Sequence, residues 1–155
     1  RQRVESVLVE EDKKAKKSRL VRVTADSLDY TDDNRRAYYR GNVVLEREQM
    51  TVRSAELEAF LRPGGQGESR LERAVAGGQV RIVEPGGSRR ATAEQAEYFA
   101  AEEKVVLRGG TPMIEQAGRG FTRGAELTYH LGDDRLLVSG RPGAPSESRQ
   151  KLKRN

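Results

Sequence analysis

The sequence predicts an all-β protein made of repeated strand-turn-strand units that pair antiparallel. Three observations carry this: a recurring six-residue frame, a glycine following each frame at a near-constant interval, and apolar residues alternating with polar ones after the glycine. The frame begins with Ala or Gly and places an aromatic at its sixth position. It reads Ala25-Asp26-Ser27-Leu28-Asp29-Tyr30, Ala55-Glu56-Leu57-Glu58-Ala59-Phe60, Ala93-Glu94-Gln95-Ala96-Glu97-Tyr98 and Gly124-Ala125-Glu126-Leu127-Thr128-Tyr129. The glycines are Gly41, Gly78, Gly110 and Gly140, and the interval lengthens only in the second unit, where Arg62-Pro63-Gly64-Gly65-Gln66-Gly67 supplies an extra turn.

Between frame and glycine lie turn-forming stretches such as Thr31-Asp32-Asp33-Asn34-Arg35 and Gly132-Asp133-Asp134-Arg135. After the glycine, Val43/Leu45, Val80/Ile82 and Pro112/Ile114 alternate with residues that include Glu46, Arg81 and Glu115, the period of a half-buried strand. Ser54 to Leu61 and Thr92 to Ala101 are rich in Ala and Glu and score well as helix. Their shortness and their place in the repeat favour strand. At the start of the chain, Arg3-Val4-Glu5-Ser6-Val7-Leu8-Val9 resembles Arg70-Leu71-Glu72-Arg73-Ala74-Val75-Ala76, as if it were the back half of a further unit.

With 155 residues the chain has the length of one domain, and 35% hydrophobic residues suffice for a thin core patterned on one face of a sheet. The expected division is an N-terminal strand and Lys-rich turn over 1–18, the repeat domain over 19–145 and a disordered basic tail over 146–155. The net charge of +5 is uneven: Lys13, Lys14, Lys16, Lys17 and Arg19 match it by themselves, the tail adds more, and the body between is mildly acidic. That distribution argues against a nucleic-acid partner, which salt-dependent binding would reveal. A glycan-binding β-repeat protein using an outer face is the other alternative.

Few residues offer catalysis. Cysteine is absent, His130 is the single histidine, and no run approaches the ~20 apolar residues of a membrane helix. Asp32-Asp33 and Asp133-Asp134 lie in predicted turns, where Asp bonds its own backbone. Neither they nor the glycines of Pro63–Gly67 and Pro85–Gly87 form a metal or phosphate motif. No catalytic residue, metal or cofactor is expected. The acid at the second frame position, Asp26, Glu56 or Glu94, reads as an exposed strand residue.

Leu20-Val21-Arg22-Val23-Thr24-Ala25-Asp26 followed by Gly41-Asn42-Val43-Val44-Leu45 resembles the opening of the OstA-like (LptA-like) family, the periplasmic bridge proteins of lipopolysaccharide transport. Ala55-Glu56 leading to Arg62-Pro63-Gly64-Gly65 is similar to that family's second unit. Ala96-Glu97-Tyr98, Val105-Val106-Leu107 and Gly110-Thr111-Pro112 are similar to its third, and Gly124 to Tyr129 to its last strand. Ala125 departs from the pattern, where an acid is usual, and the first 18 residues exceed its short polar start.

The resemblance implies an open antiparallel β-jelly roll, two facing sheets like a taco, whose inner faces hold the acyl chains of lipopolysaccharide in the periplasm. Val21, Val23, Val43, Leu45, Val80, Ile82, Ile114, Leu127 and Tyr129 are the expected lining, although ordinary core packing would produce the same alternation. Edge strands around Val4 to Val9 and Leu136 to Gly140 are expected to add to an inner-membrane component, an outer-membrane translocon or another copy. The basic clusters would then lie near phosphorylated headgroups.

Overall fold

A computed structural model describes residues 3–12, 17–31, 33, 35–48, 50–63, 69–131, 136–139 and 147–150. The strands are β1 (Val4–Asp12), β2 (Lys17–Ala25), β3 (Ser27–Thr31), β4 (Arg36–Arg47), β5 (Met50–Pro63), β6 (Ser69–Val83), β7 (Arg89–Phe99), β8 (Lys104–Arg108), β9 (Met113–Gln116), β10 (Gly120–Arg123), β11 (Glu126–His130), β12 (Leu136–Ser139) and β13 (Glu147–Gln150). Ser54 to Leu61 lies within β5 and Thr92 to Phe99 within β7, with Ala100 and Ala101 in the turn that follows, so repeat position and packing override the helix propensity of both segments.

The long strands each belong to two half-sheets. Strand β4 pairs with β2 through Val44–Arg47 and with β3 through Arg36–Arg40, and β7 pairs with β9 through Arg89–Thr92 and with β8 through Gln95–Phe99. One half-sheet therefore contains β1, β2, the second half of β4, the first of β5, the second of β6, the first of β7, then β9, β10 and β13. The other contains β3, the remaining halves of β4 to β7, then β8, β11 and β12. Folding one sheet onto itself gives two walls facing across a shared core, the jelly-roll architecture expected from the resemblance.

The fold line explains the sequence repeat. In the first three units the frame start and its glycine stretch face each other at the level where the sheet bends. The Asp26 amide donates to the Arg40 and Gly41 carbonyls at 3.1 and 2.9 Å, and the Glu94 amide to the Gly109 carbonyl at 3.1 Å. Ala55 lies against Gly78, where an added Cβ would sit 2.6 Å from its own Cβ. Gly41-Asn42 and Gly78-Gln79 are left-handed pairs (φ 84° and 47°, 86° and 50°) inside continuous strands. They do not open separate elements as the sequence suggests. Gly41-Asn42 opposes Ala55 and Gly78-Gln79 opposes Glu94, two residues against one, which defines a β-bulge and bends the sheet.

Matching rows of side chains line the walls. In the first half-sheet, Val23, Leu45, Val52, Ile82, Ala91 and Ile114 follow one another across β2, β4, β5, β6, β7 and β9. In the second, Tyr39, Leu57, Ala76, Ala96, Leu107 and Leu127 form one row, and Ala37, Ala59, Ala74, Tyr98, Val105 and Tyr129 the next. All of these belong to or pack against one hydrophobic cluster.

Two expected boundaries differ. The division at residue 18 falls inside β2, whose partner β1 runs from Val4 to Asp12 in the same sheet. Glu147–Gln150, expected in a disordered tail, pairs antiparallel with β10. That pairing satisfies a row of backbone groups that β10 otherwise leaves open on that side. The side chains of Lys13, Lys14, Lys16 and Lys17, the Asp133-Asp134 pair and Gly140 lie outside the described residues.

On the outer face of the second half-sheet, Arg73 and Arg108 each donate to Glu97 (2.6 and 2.8 Å), and Arg108 donates to Glu126 at 2.9 Å, tying β6, β7, β8 and β11. Burial alone raises the Glu97 carboxyl, but the bonds from Arg108 and Arg73 outweigh it and hold the group below its ordinary value of 4.5. The stabilisation is therefore complete above the unfolded value and lost as the pH falls through the lower folded one. In acid denaturation, wild type and Glu97→Gln should differ near neutrality and converge well below pH 4.5.

Gly78→Ala should destabilise by more than about 1–3 kcal/mol, the usual cost of one strained residue, because strain and collision coincide there. Gly86→Ala, also left-handed but with nothing within 4 Å of an added Cβ, should cost only about 1 kcal/mol. Urea denaturation of the pair checks this; equal losses would assign the Gly78 requirement to backbone strain alone.

Candidate functional site

All nine residues expected to line a groove reach the interior. Val21, Val23, Val43, Leu45, Val80, Ile82 and Ile114 come from the first half-sheet and Leu127 and Tyr129 from the second. Each is at most 6% exposed, and all belong to the same cluster. The glycine-anchored alternation thus located about half of one wall, missing Leu8, Ala25, Met50, Val52, Ala91 and Ala93, and the end of the other.

Most of the second wall was missed: Tyr39, Leu57, Leu71, Leu107 and a run of alanines, Ala37, Ala59, Ala74, Ala76 and Ala96. Alanine gives a weak hydropathy signal, and the frames interrupt the period. Ala55 and Glu56 are both exposed in succession, as are Glu94 and Gln95, after which the opposite parity faces inward. The doubled outward residue at each frame was the available signal. The aromatic column has no single role. Tyr129 is fully buried and Tyr98 packs against the core, whereas Phe60 lies under the Arg73 guanidinium at 4.2 Å and Tyr30 is 46% exposed.

In this conformation the walls are in contact. Among the described residues a void of ≈ 30 Å³ lies between them, bounded by Val21, Leu45, Leu57, Ala76, Ile82 and Val105 among others. That is room for about one water and not for an acyl chain. An occupant requires the walls to part.

Opposite the fold line, the free rims meet at a polar clasp. Glu10 of β1 is completely buried. Its carboxylate accepts from Arg47 Nε at 3.1 and 3.0 Å, Arg47 Nη2 at 3.0 Å, Arg19 Nη1 at 3.1 Å and the Tyr98 hydroxyl at 2.6 Å. Arg19 also pairs with Glu103 at 3.0 Å and Glu48 at 2.9 Å. Glu10, Arg19 and Arg47 belong to the first half-sheet, Tyr98 and Glu103 to the second, so these bonds close the mouth between the walls. Beside them Val9 pairs with Arg70 of β6, a single parallel bridge across the same gap. Burial and the adjacent Glu10 charge push the Tyr98 hydroxyl well up, which keeps it a donor. For Arg47, burial works toward a lower value and the bond to Glu10 outweighs it, so the guanidinium stays charged.

A second ionic pair stands farther along the rim. Arg89 donates to Glu84 at 3.3 Å and stacks 4.8 Å from the Tyr129 ring centroid. The Tyr129 hydroxyl is buried without a hydrogen-bond partner among the described residues. Its desolvation is therefore uncompensated, and the pKa is driven up chiefly by burial. Tyr129→Phe should raise stability by about 1 kcal/mol in urea titrations, since an unsatisfied buried polar group costs about that much or more. A loss of similar size would mean that the hydroxyl has a partner in solution.

Among the described residues no group of three or more His, Cys, Asp or Glu side chains could hold a metal ion. The buried constellations are ion pairs at a rim, surrounding an apolar interior. The class defined by this arrangement is a β-jelly roll with an apolar interior closed at its rim by ionic contacts.

Residues 22–135 match the family model described as LptA/(LptD N-terminal domain) LPS transport protein, and the chain belongs to that family. A solved structure, LptH from Pseudomonas aeruginosa, the LptA-homologous periplasmic component of the lipopolysaccharide transport device, shares the fold. The TM-score is 0.66 and the identity 21%, over 83% of this chain and 94% of that one. No protein of curated function matches the chain by sequence. The family and the structural neighbour are transport proteins rather than enzymes.

Proposed function

We propose that the chain is a periplasmic carrier that holds the acyl chains of lipopolysaccharide between its two walls on the way from inner to outer membrane, without catalysis. The carrying observation is the interior: two facing apolar walls in a fold shared with a periplasmic lipopolysaccharide-transport component. Each methylene transferred from water contributes ~0.8 kcal/mol, so a few turns of contact along an acyl chain compensate for separating the walls. The wall side chains named above are the contact surface, with the alanines of the second wall added to the nine expected from sequence.

Assembly in this reading uses sheet edges. Strands β1 and β12 end the main strand path, and β3 and β13 border their half-sheets. An incoming strand at either end extends the walls and lengthens the interior. Partners are an inner-membrane transport component, an outer-membrane translocon and other copies of the chain. The description of the family model also names an LptD N-terminal domain, and a domain of that kind in another transport component is the alternative setting for this chain.

A photoreactive side chain at Leu45 or Ile82 should form adducts with lipopolysaccharide in cells, whereas the same group at Glu46 or Arg81, one residue away on the outer face, should give at least about tenfold less. Strand alternation makes the comparison internal to each strand. Equal labelling on both faces, or labelling confined to the outer one, would sink the carrier reading.

A further inference from the structure

Glu10 is the anomaly of the interior. A carboxylate with no exposed surface carries a large desolvation cost, met here by two guanidinium groups and a phenol that converge from both walls. An apolar residue of similar volume would seal the same gap without that cost. Strand β1, which delivers Glu10, lies outside the residues 22–135 that match the family model. Among the described residues it is joined across the gap to the second half-sheet by one backbone bridge, Val9 to Arg70, by this side-chain cluster and by a hydrogen bond between Ser6 and Tyr39.

The donors have the chemistry of an anion site. Arg47 presents Nε and Nη2 to the two carboxylate oxygens, a fork that also fits a phosphate. Arg19 adds a third donor at 3.1 Å and Tyr98 a fourth at 2.6 Å. Glu103 sits 3.0 Å from Arg19 and 3.6 Å from Arg47, keeping both arginines at the mouth if Glu10 departs. With Glu48 also paired to Arg19, the set Arg19, Arg47, Glu48 and Glu103 would be neutral without Glu10, and the Arg47 Nε and Tyr98 hydroxyl donors that Glu10 now satisfies would be open to another acceptor.

We infer that Arg19, Arg47 and Tyr98 form the subsite for the phosphorylated headgroup of the carried lipid, that the Glu10 carboxylate fills it while the interior is empty, and that β1 is thereby a strap which the phosphate displaces. This rests on the carrier reading. It adds that loading is an exchange of one anion for another, so the donors of the buried Arg47 and of Tyr98 that Glu10 now satisfies are never left without an acceptor. The acyl chains enter the space that the departing strap opens.

The experiment uses the full chain, diphosphorylated lipid A and the same lipid with its phosphates removed, and two readouts. Amide exchange over residues 4–12 without lipid reports the strap. It should accelerate about tenfold or more in Glu10→Gln, the effect of losing charge-assisted bonds. Lipid titration reports the subsite. Wild type should prefer the phosphorylated lipid, Glu10→Gln should bind both lipids tighter by about tenfold, and the double variant Glu10→Gln/Arg47→Gln should lose the preference.

If Glu10→Gln does not fold, Tyr98→Phe removes a single donor and preserves the ring. It should give faster β1 exchange and tighter binding of both lipids, each by a few-fold. Unchanged β1 exchange in whichever of these folds overturns the strap. A phosphate preference that persists in the double variant overturns the headgroup subsite while leaving the carrier reading intact. Failure of wild type and all variants to bind either lipid overturns the carrier reading and the headgroup assignment together.

Discussion

Everything in this fold depends on the backbone bending at the same level in successive strands. A flat sheet of these strands would expose its apolar face to water, and a bend in one strand alone would break the ladder on both sides. The constraint is met by left-handed residue pairs at Gly41-Asn42 and Gly78-Gln79 and by the glycines at 109 and 110, each set against the small frame residue or acid of its neighbour. The requirement is steric: Ala55 and Gly78 approach so closely that one of the two backbones cannot carry a Cβ. Because the bulges line up, they form one fold line, and the two halves of each long strand become opposite walls.

Much of the architecture was therefore legible as a repeat, for a reason the repeat itself did not disclose. The frame and the glycine are two sides of one contact, and their interval measures the hairpin between them. The extra turn in the second unit lengthens that hairpin without moving the contact. What strict alternation could not reveal lay beyond the bulges. Passing the doubled outward residues at Ala55-Glu56 and Glu94-Gln95 changes the parity of the inward face. The Ala-rich wall was hidden both by that change and by the small hydropathy of alanine. The clasp was illegible for a different reason: Glu10, Arg47 and Tyr98 are far apart in sequence, and as single residues they read as exposed charges and an aromatic.

The distribution of polar contacts gives the two margins of the molecule different characters. Along the fold line, backbone bonds and steric fit do the holding, and the frame acids Asp26 and Glu56 accept from Arg3, Asn42 and Tyr38 at exposed positions. Along the free rims, buried charges do it. The outer ladder through Arg73, Glu97, Arg108 and Glu126 joins strands within one half-sheet and does not cross the mouth. The polar bonds between the walls are thus concentrated at the rim, while apolar contact holds the walls together through the shared core.

The alanines of the second wall bear on how that space accepts different guests. Methyl groups have no rotamers to lose, so ordering a flexible hydrocarbon against Ala37, Ala59, Ala74, Ala76 and Ala96 freezes only the guest. The opposite wall of Val, Leu and Ile is shaped by branching and fits particular contours. The alanines make a smooth patch across β4 to β7, bordered in the same wall by Tyr39, Leu57, Tyr98 and Leu107. In the carrier reading, a chain crossing that patch would meet no side chain that must first change rotamer, and the larger residues around the patch would set where it stops.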